Sequence, residues 1–325
     1  MSLQEPPLKP APLHWDLDVL VGQLREVRSR WRESRSRSPD IGEREFPSRD
    51  SVRDIVALLR GALFPLRLGP PDLKREGEDF YVGHALEMAL SSLASQVRLE
   101  LSCRWRQGDA AEPSAQELAR EAGKIVAAFA SQLPRLRELL DSDVEAAFRG
   151  DPAAQSVDEV LLCYPGVLAL IHHRFAHQLY QLGVPLIARI VAELAHSETG
   201  IDIHPGARIG AHFFIDHGTG VVIGETAEIG ERVRLYQAVT LGAKRFDTDA
   251  DGALAKGQPR HPIVEDDVVV YAGATILGRI TIGRGSSIGG NVWLTRSVPP
   301  GSQVTQARLE HAPHARSSAI EAPSE

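Results

Sequence analysis

The chain has 325 residues, 43% of them hydrophobic, and a formal charge of -7. That length suggests two domains with sizeable cores, and the negative balance argues against nonspecific binding of the whole chain to nucleic acid. Two cysteines, Cys103 and Cys163, make no disulfide framework, and no apolar run approaches the ~20 residues of a membrane span, so a reducing cytoplasm without membrane insertion is expected.

Residues 1–40 are expected to be a largely disordered leader with a basic amphipathic helix. Met1 to Leu13 holds four prolines and lacks the apolar stretch of a signal peptide. From Leu17 onward, Leu20, Val21, Leu24, Val27 and Trp31 keep helical spacing. Arg25, Arg28, Arg30, Arg32, Arg35 and Arg37 cover the other side, which reads as a solvated face.

Residues 41–200 are expected to form an α-helical domain. Val52, Ile55, Val56 and Leu59 make one apolar face, and Leu86, Leu90, Leu93 and Val97 another. Ser114 with Glu117, Ser142 with Glu145, and Ser156 with Glu159 each fit a capping box that opens a helix. Pro165 suits a first helical turn, and Gly183 suits a stop after Leu182.

Residues 201–300 change period. Aliphatic residues recur every six positions at Ile203, Ile209 and Ile215. They recur again at Ile223, Ile229, Leu235 and Leu241, and then at Val264, Val270, Ile276, Ile282, Ile288 and Leu294. The position four residues on is usually small or apolar, as at Ala207, Thr219, Ala227, Val233 and Val268. Neither a helix nor a flat strand has this period; a parallel β-helix does, with one short strand and one turn per hexad. The expected fold class is therefore α+β, an all-α segment in front of a β-helix. A prism buries its core without closing a pocket, so chemistry must sit on its wall, in its loops or between copies. Two breaks interrupt the hexads: two extra residues around His217–Gly220, and an inserted loop over 243–262. Residues 301–325 are expected to be a tail.

Both breaks carry histidine. A side chain in the Gly-rich bulge at His217 can leave the wall. Asp202 and Asp216 are both candidates to orient its ring, since a carboxylate on one imidazole nitrogen leaves the other as a base. Taken alone, such a pair is structural more often than catalytic, Asp151 is as readily a helix cap, and Asp216 as readily a turn residue.

The segments Asp202-Ile203-His204-Pro205, Asp216-His217-Gly218-Thr219-Gly220, Gly224-Glu225-Thr226, Gln237-Ala238-Val239-Thr240-Leu241-Gly242 and Arg260-His261-Pro262, in this order, resemble bacterial serine O-acetyltransferases. The resemblance runs from about Asp151 through the hexads and includes a long-loop subgroup. It implies a left-handed β-helix and acetyl transfer from acetyl-CoA, as co-substrate, to the hydroxyl of L-serine, without a metal. It implies His217 as general base paired with Asp202. It implies Asp151 and Asp216 around the substrate ammonium, and Arg260 with His261 at the substrate carboxylate and reaction centre. Ala243, Ala272, Gly273 and Gly290 would lie along the coenzyme's pantetheine arm. A homotrimer or a dimer of trimers is also implied. Relatives that dock on cysteine synthase do so through a terminal isoleucine; here Ile320 is followed by five residues, so that complex is not expected. Ala243 replaces a frequent glycine, and Ser302-Gln303-Val304-Thr305 departs from the usual ending of the hexads.

Two other readings stay open at this stage. His212 and His217, five residues apart, with His204 or His261 fit a β-helix zinc enzyme of the carbonic-anhydrase kind. A noncatalytic assembly module would bind no coenzyme A. Within the transferase reading, another hydroxyl amino acid or small alcohol could be the acceptor, because one methylene is worth only ~1–3 kcal/mol in a pocket.

Overall fold

The computed structural model describes residues 15–34, 46–106, 113–245 and 257–306. The Pro-rich leader, most of the inserted loop and the chain beyond residue 306 lie outside them. Helix α1 (Leu17–Ser34) belongs to a unit of its own, Met1–Arg44. Its Leu20, Val21, Leu24 and Val27 are exposed along one face, as the helical spacing predicts.

The second unit begins at Glu45. It opens with α2 (Arg49–Leu63), α3 (Pro65–Leu68), α4 (Glu78–Arg106) and α5 (Ala115–Gly150). It continues with α6 (Val157–Cys163), α7 (Pro165–Gln181) and α8 (Pro185–Thr199). Ser114 caps α5 with the reciprocal Glu117 bond that the pattern predicts. Ser156 also caps α6, but Glu159 reaches back to the Gln155 N–H instead. Ser142 opens no helix. It lies inside α5, and its hydroxyl bonds back to the Leu139 carbonyl at 2.6 Å while accepting the His212 N–H at 3.1 Å. The seryl hydroxyl is satisfied locally within the helix, so the capping spacing there is coincidental.

Thirteen strands follow the thirteen hexads, β1 (Asp202–Ile203) through β13 (Trp293–Leu294), each ending at or next to the aliphatic start. They stack in parallel into three faces. The first face is β1-β4-β7-β10-β13, the second β2-β5-β8-β11, and the third begins β3-β6-β9-β12. In-register pairing stacks Ile203 on Ile223 and Leu241, and Ile276 on Leu294, so each aliphatic layer is buried by the next coil. Burying such a side chain is worth roughly 1.5–3 kcal/mol, and the stack repeats it coil after coil. Thr219 is an exception to the expected inner position: it is exposed, and Val221, two residues later, fills the core. The two-residue phase break causes this shift. A fourteenth strand, β14 (Gln303–Val304), extends the third face from β12, where a tail was expected; its start falls ten residues after Leu294, outside the hexad phase.

Helices and coils from Glu45 share one continuous core. Asp143 of α5 and Arg174 of α7 form a bidentate buried pair. Arg174 also donates to the Ile209 and Gly210 carbonyls, and Asp143 accepts the Phe213 N–H. Burial pushes the Asp143 carboxyl up to about 6 against the pull of Arg174. Removing one partner of such a pair typically costs about 3–5 kcal/mol, because a charge is left buried and unpaired. The pair ties the end of α5, and with it Asp151, to the first coil.

Candidate active site

The candidate residues gather at two different corners of the prism. One corner joins the third face to the first. There the bulge puts His217 at φ +59°, and its ring is 71% exposed. Asp216, 10% exposed, points Oδ1 at the ring with 3.8 Å to Nε2. Its Oδ2 accepts from Arg234 Nη2 at 2.6 Å. Arg234 Nη1 donates to the Gly150 carbonyl at 2.7 Å. The next residue, Asp151, is the C-cap of α5. Its carboxylate accepts from the Tyr164 hydroxyl at 2.5 Å and from the Ala153 N–H at 2.8 Å. Those two bonds hold the Asp151 carboxyl below its ordinary range, and the same Tyr164 contact pushes the phenol up to about 12. Asp151 therefore acts both as a helix cap and as an anion facing the His217 corner.

Asp202 lies at the foot of this corner, two residues after Gly200, whose carbonyl accepts the Gly220 N–H. Its carboxylate groups with Glu193 and His196 of α8, with their ligand atoms within 4.8 Å of one another. Among the described residues, Asp216 is the carboxylate that meets the His217 ring. Three of the four coenzyme candidates stand above His217 on the same corner: Ala272, Gly273 and Gly290. The Gly273 N–H bonds to the Gln237 carbonyl, and the Ala272 carbonyl accepts from Asn291.

The other corner joins the first face to the second. Arg260 Nη2 pairs with Glu225 Oε2 at 2.7 Å, and Glu225 also accepts from the Tyr180 hydroxyl. Burial raises the Glu225 carboxyl, but Arg260 and His204 outweigh it and hold the group below its ordinary value. His261 is buried. The Thr226 N–H donates to its Nδ1 at 3.0 Å, so the neutral ring carries its proton on Nε2. Desolvation, helped by the Arg260 charge, drives its pKa down to about 4. Gly224 makes this packing possible, because a Cβ there would overlap the His261 ring. Ala243, the fourth coenzyme candidate, follows β7 (Thr240–Gly242) on this side.

Sequence reasoning missed Arg234, Tyr164 and the pairing role of Glu225. An arginine at an outward strand position looks like ordinary surface, and the 13-residue separation of Asp151 and Tyr164 matches no short motif. The histidines of the zinc reading are spread out. His212 turns the corner between the second and third faces, His217 the next one, and His204 and His261 the remaining one.

A stacked hexad prism with a histidine bulge and a long insert places the chain among the hexapeptide-repeat β-helix proteins. The family model described as bacterial transferase hexapeptide (six repeats) matches residues 261–296. A relative from Synechococcus elongatus described as a plasmid serine acetyltransferase is 59% identical over 264 residues, covering 81% of this chain and 83% of the relative. The solved structure of Entamoeba histolytica serine acetyltransferase isoform 3 in complex with cysteine aligns with a TM-score of 0.65 and 36% identity. That alignment covers 82% of this chain and 84% of the other. A Neisseria gonorrhoeae serine acetyltransferase in complex with serine aligns at TM-score 0.50 and 27% identity, over 77% and 93% of the two chains. The chain belongs to the serine acetyltransferase family, and its helical segment followed by a left-handed β-helix is that family's fold.

Proposed function

We propose that this protein transfers the acetyl group of acetyl-CoA to the hydroxyl of L-serine, yielding O-acetylserine and free coenzyme A, the step that opens cysteine biosynthesis. The observation that carries the reading is the 59% identity over four fifths of the chain. The chemistry of the two corners agrees with it.

In the proposed reaction His217 takes the proton of the serine hydroxyl as its oxygen attacks the thioester carbonyl. The tetrahedral intermediate collapses, the C–S bond breaks, and the imidazolium returns the proton to the departing thiolate. Asp202, and Asp216 at 3.8 Å, favour the imidazolium that forms in between. Asp151 and Asp216 meet the substrate ammonium. Arg260, oriented by Glu225, meets its carboxylate through a planar fork. His261 stays neutral and offers Nε2–H as a hydrogen-bond donor at the reaction centre. The step as written uses no metal ion.

The two corners are separated by one face of the prism. Six extended residues at ~3.3 Å each span up to roughly 20 Å, beyond the reach of one serine. We therefore infer that the site is completed between copies, in a trimer or a pair of trimers, with His217 of one copy facing Arg260 and His261 of the next. The same division of the coenzyme candidates, with Ala272, Gly273 and Gly290 on one corner and Ala243 on the other, supports this arrangement. A cytoplasmic setting fits the substrates.

The test is thiol release with acetyl-CoA and a panel of hydroxyl amino acids. Release with L-serine is expected. Faster release with homoserine or threonine would move the acceptor, and none with any of the three would end the acyltransferase reading.

A further inference from the structure

We propose that Arg234 is a positioning residue that locks the two substrate carboxylates, Asp151 and Asp216, into one unit carrying a single net negative charge. The inference rests on the acceptor reading above and goes beyond it by naming what sets the geometry and charge of the ammonium site.

Arg234 sits in β6 (Arg234–Leu235), in register with Phe214 of β3 (Phe214–Ile215). Its guanidinium lies over two rings, 4.9 Å from the Phe214 centroid and 4.5 Å from that of Tyr236. Tyr236 in turn stacks on Tyr271, with centroids 5.2 Å apart and planes at 12°. These ring contacts restrict the orientation of the fork. One arm then donates to the Gly150 carbonyl and the other to Asp216. Gly150 precedes Asp151 directly, so the fork bridges the end of α5 to the third face at the two anions. A Cβ at Gly150 would press on the Phe214 ring, which leaves the helix end a narrow seat against that face. Tyr164 holds the far oxygen of Asp151.

The charge count follows from the same contacts. Two carboxylates and one guanidinium leave one negative charge, matching a single ammonium. An acceptor with no cation would leave that charge unpaired on binding, whereas two free carboxylates would repel each other. Arginine suits the task because it keeps its charge and holds two acceptors in one plane; lysine keeps only the charge.

The test uses the full chain and two variants, R234M and R234K, each checked by circular dichroism and by its assembly state. For R234M, the KM for serine is expected to rise about tenfold or more, the size of one weakened charge-assisted contact to the ammonium. The KM for acetyl-CoA should stay within about twofold. R234K should recover part of the serine affinity. Wild-type serine KM in R234M, or equal rises in both constants, would overturn the inference. If R234M fails to fold, R234K alone decides, since a selective loss of serine affinity must still appear there. An inactive wild-type enzyme would instead overturn the acceptor reading, so the two failures are distinguishable.

Discussion

The two corners that carry the candidate chemistry are built in opposite ways. At the His217 corner the ring stands in solvent, and the groups around it are anions held by Arg234 and Tyr164. At the Arg260 corner the ring of His261 is buried, kept neutral by desolvation, and fixed by Thr226. Its cation is already paired with Glu225. The first corner presents an exposed imidazole beside carboxylates. The second presents a buried, neutral imidazole beside an arginine already paired with a carboxylate. The difference comes from the wall itself: a two-residue bulge pushes His217 outward, whereas Gly224 opens a seat that draws His261 inward.

The largest expected effect breaks the open corner. His217→Ala should fold and assemble normally, since the side chain leaves no core cavity, yet kcat should fall by ~10²–10⁴-fold, the usual worth of general-base catalysis. Asp202→Asn should lose less, because the base remains. Turnover at saturating substrates, beside circular dichroism, reads both. A folded His217→Ala protein with near wild-type turnover would remove His217 as the base and move attention to the other corner.

A smaller effect tests the clamp. Arg260→Lys keeps charge but loses the fork to Glu225 and to a carboxylate. Its KM for serine should rise by about tenfold, the size of one lost charge-assisted bond, with acetyl-CoA little affected. Equal rises for both substrates would give Arg260 a structural or shared role.

The smallest effect is on stability. His172, His173, His177, His204 and His261 are each held below the ordinary histidine value, first by desolvation. Above pH ~6.5 both folded and unfolded chains keep them neutral. As pH falls below that, the unfolded chain takes up protons that the folded chain refuses, so stability drops toward the folded value, about 4 for His261. Melting midpoints should fall between pH 6.5 and 4.5, and more shallowly in His173→Gln, because His173 is fully desolvated. Identical slopes for the two proteins would show that His173 contributes nothing to the acid loss.

Much of this was legible in the chain. All thirteen hexads became strands because each coil has three faces, and a residue buried on each face recurs at a third of the coil. The bulge at His217 was legible as a phase break, although its consequence for Thr219 and Val221 was not. The Ser142 pattern misled, because a serine can satisfy its hydroxyl on its own helix as easily as begin one. β14 escaped notice because it restarts ten residues after Leu294.

Periodicity, composition and motif order by themselves determined the helical segment, the prism, the family and the identities of the candidate residues. Those are local properties, written into spacing along one chain. Tertiary structure alone decided the company each residue keeps: Asp216 with Arg234 and His217, Asp202 with Glu193 and His196, Arg260 with Glu225, and Asp151 with Tyr164. Where they cross elements these pairs are 6 to 35 residues apart, with no fixed spacing. No pattern in the sequence sets them, because they depend on which coil lies above which and where the helical segment docks.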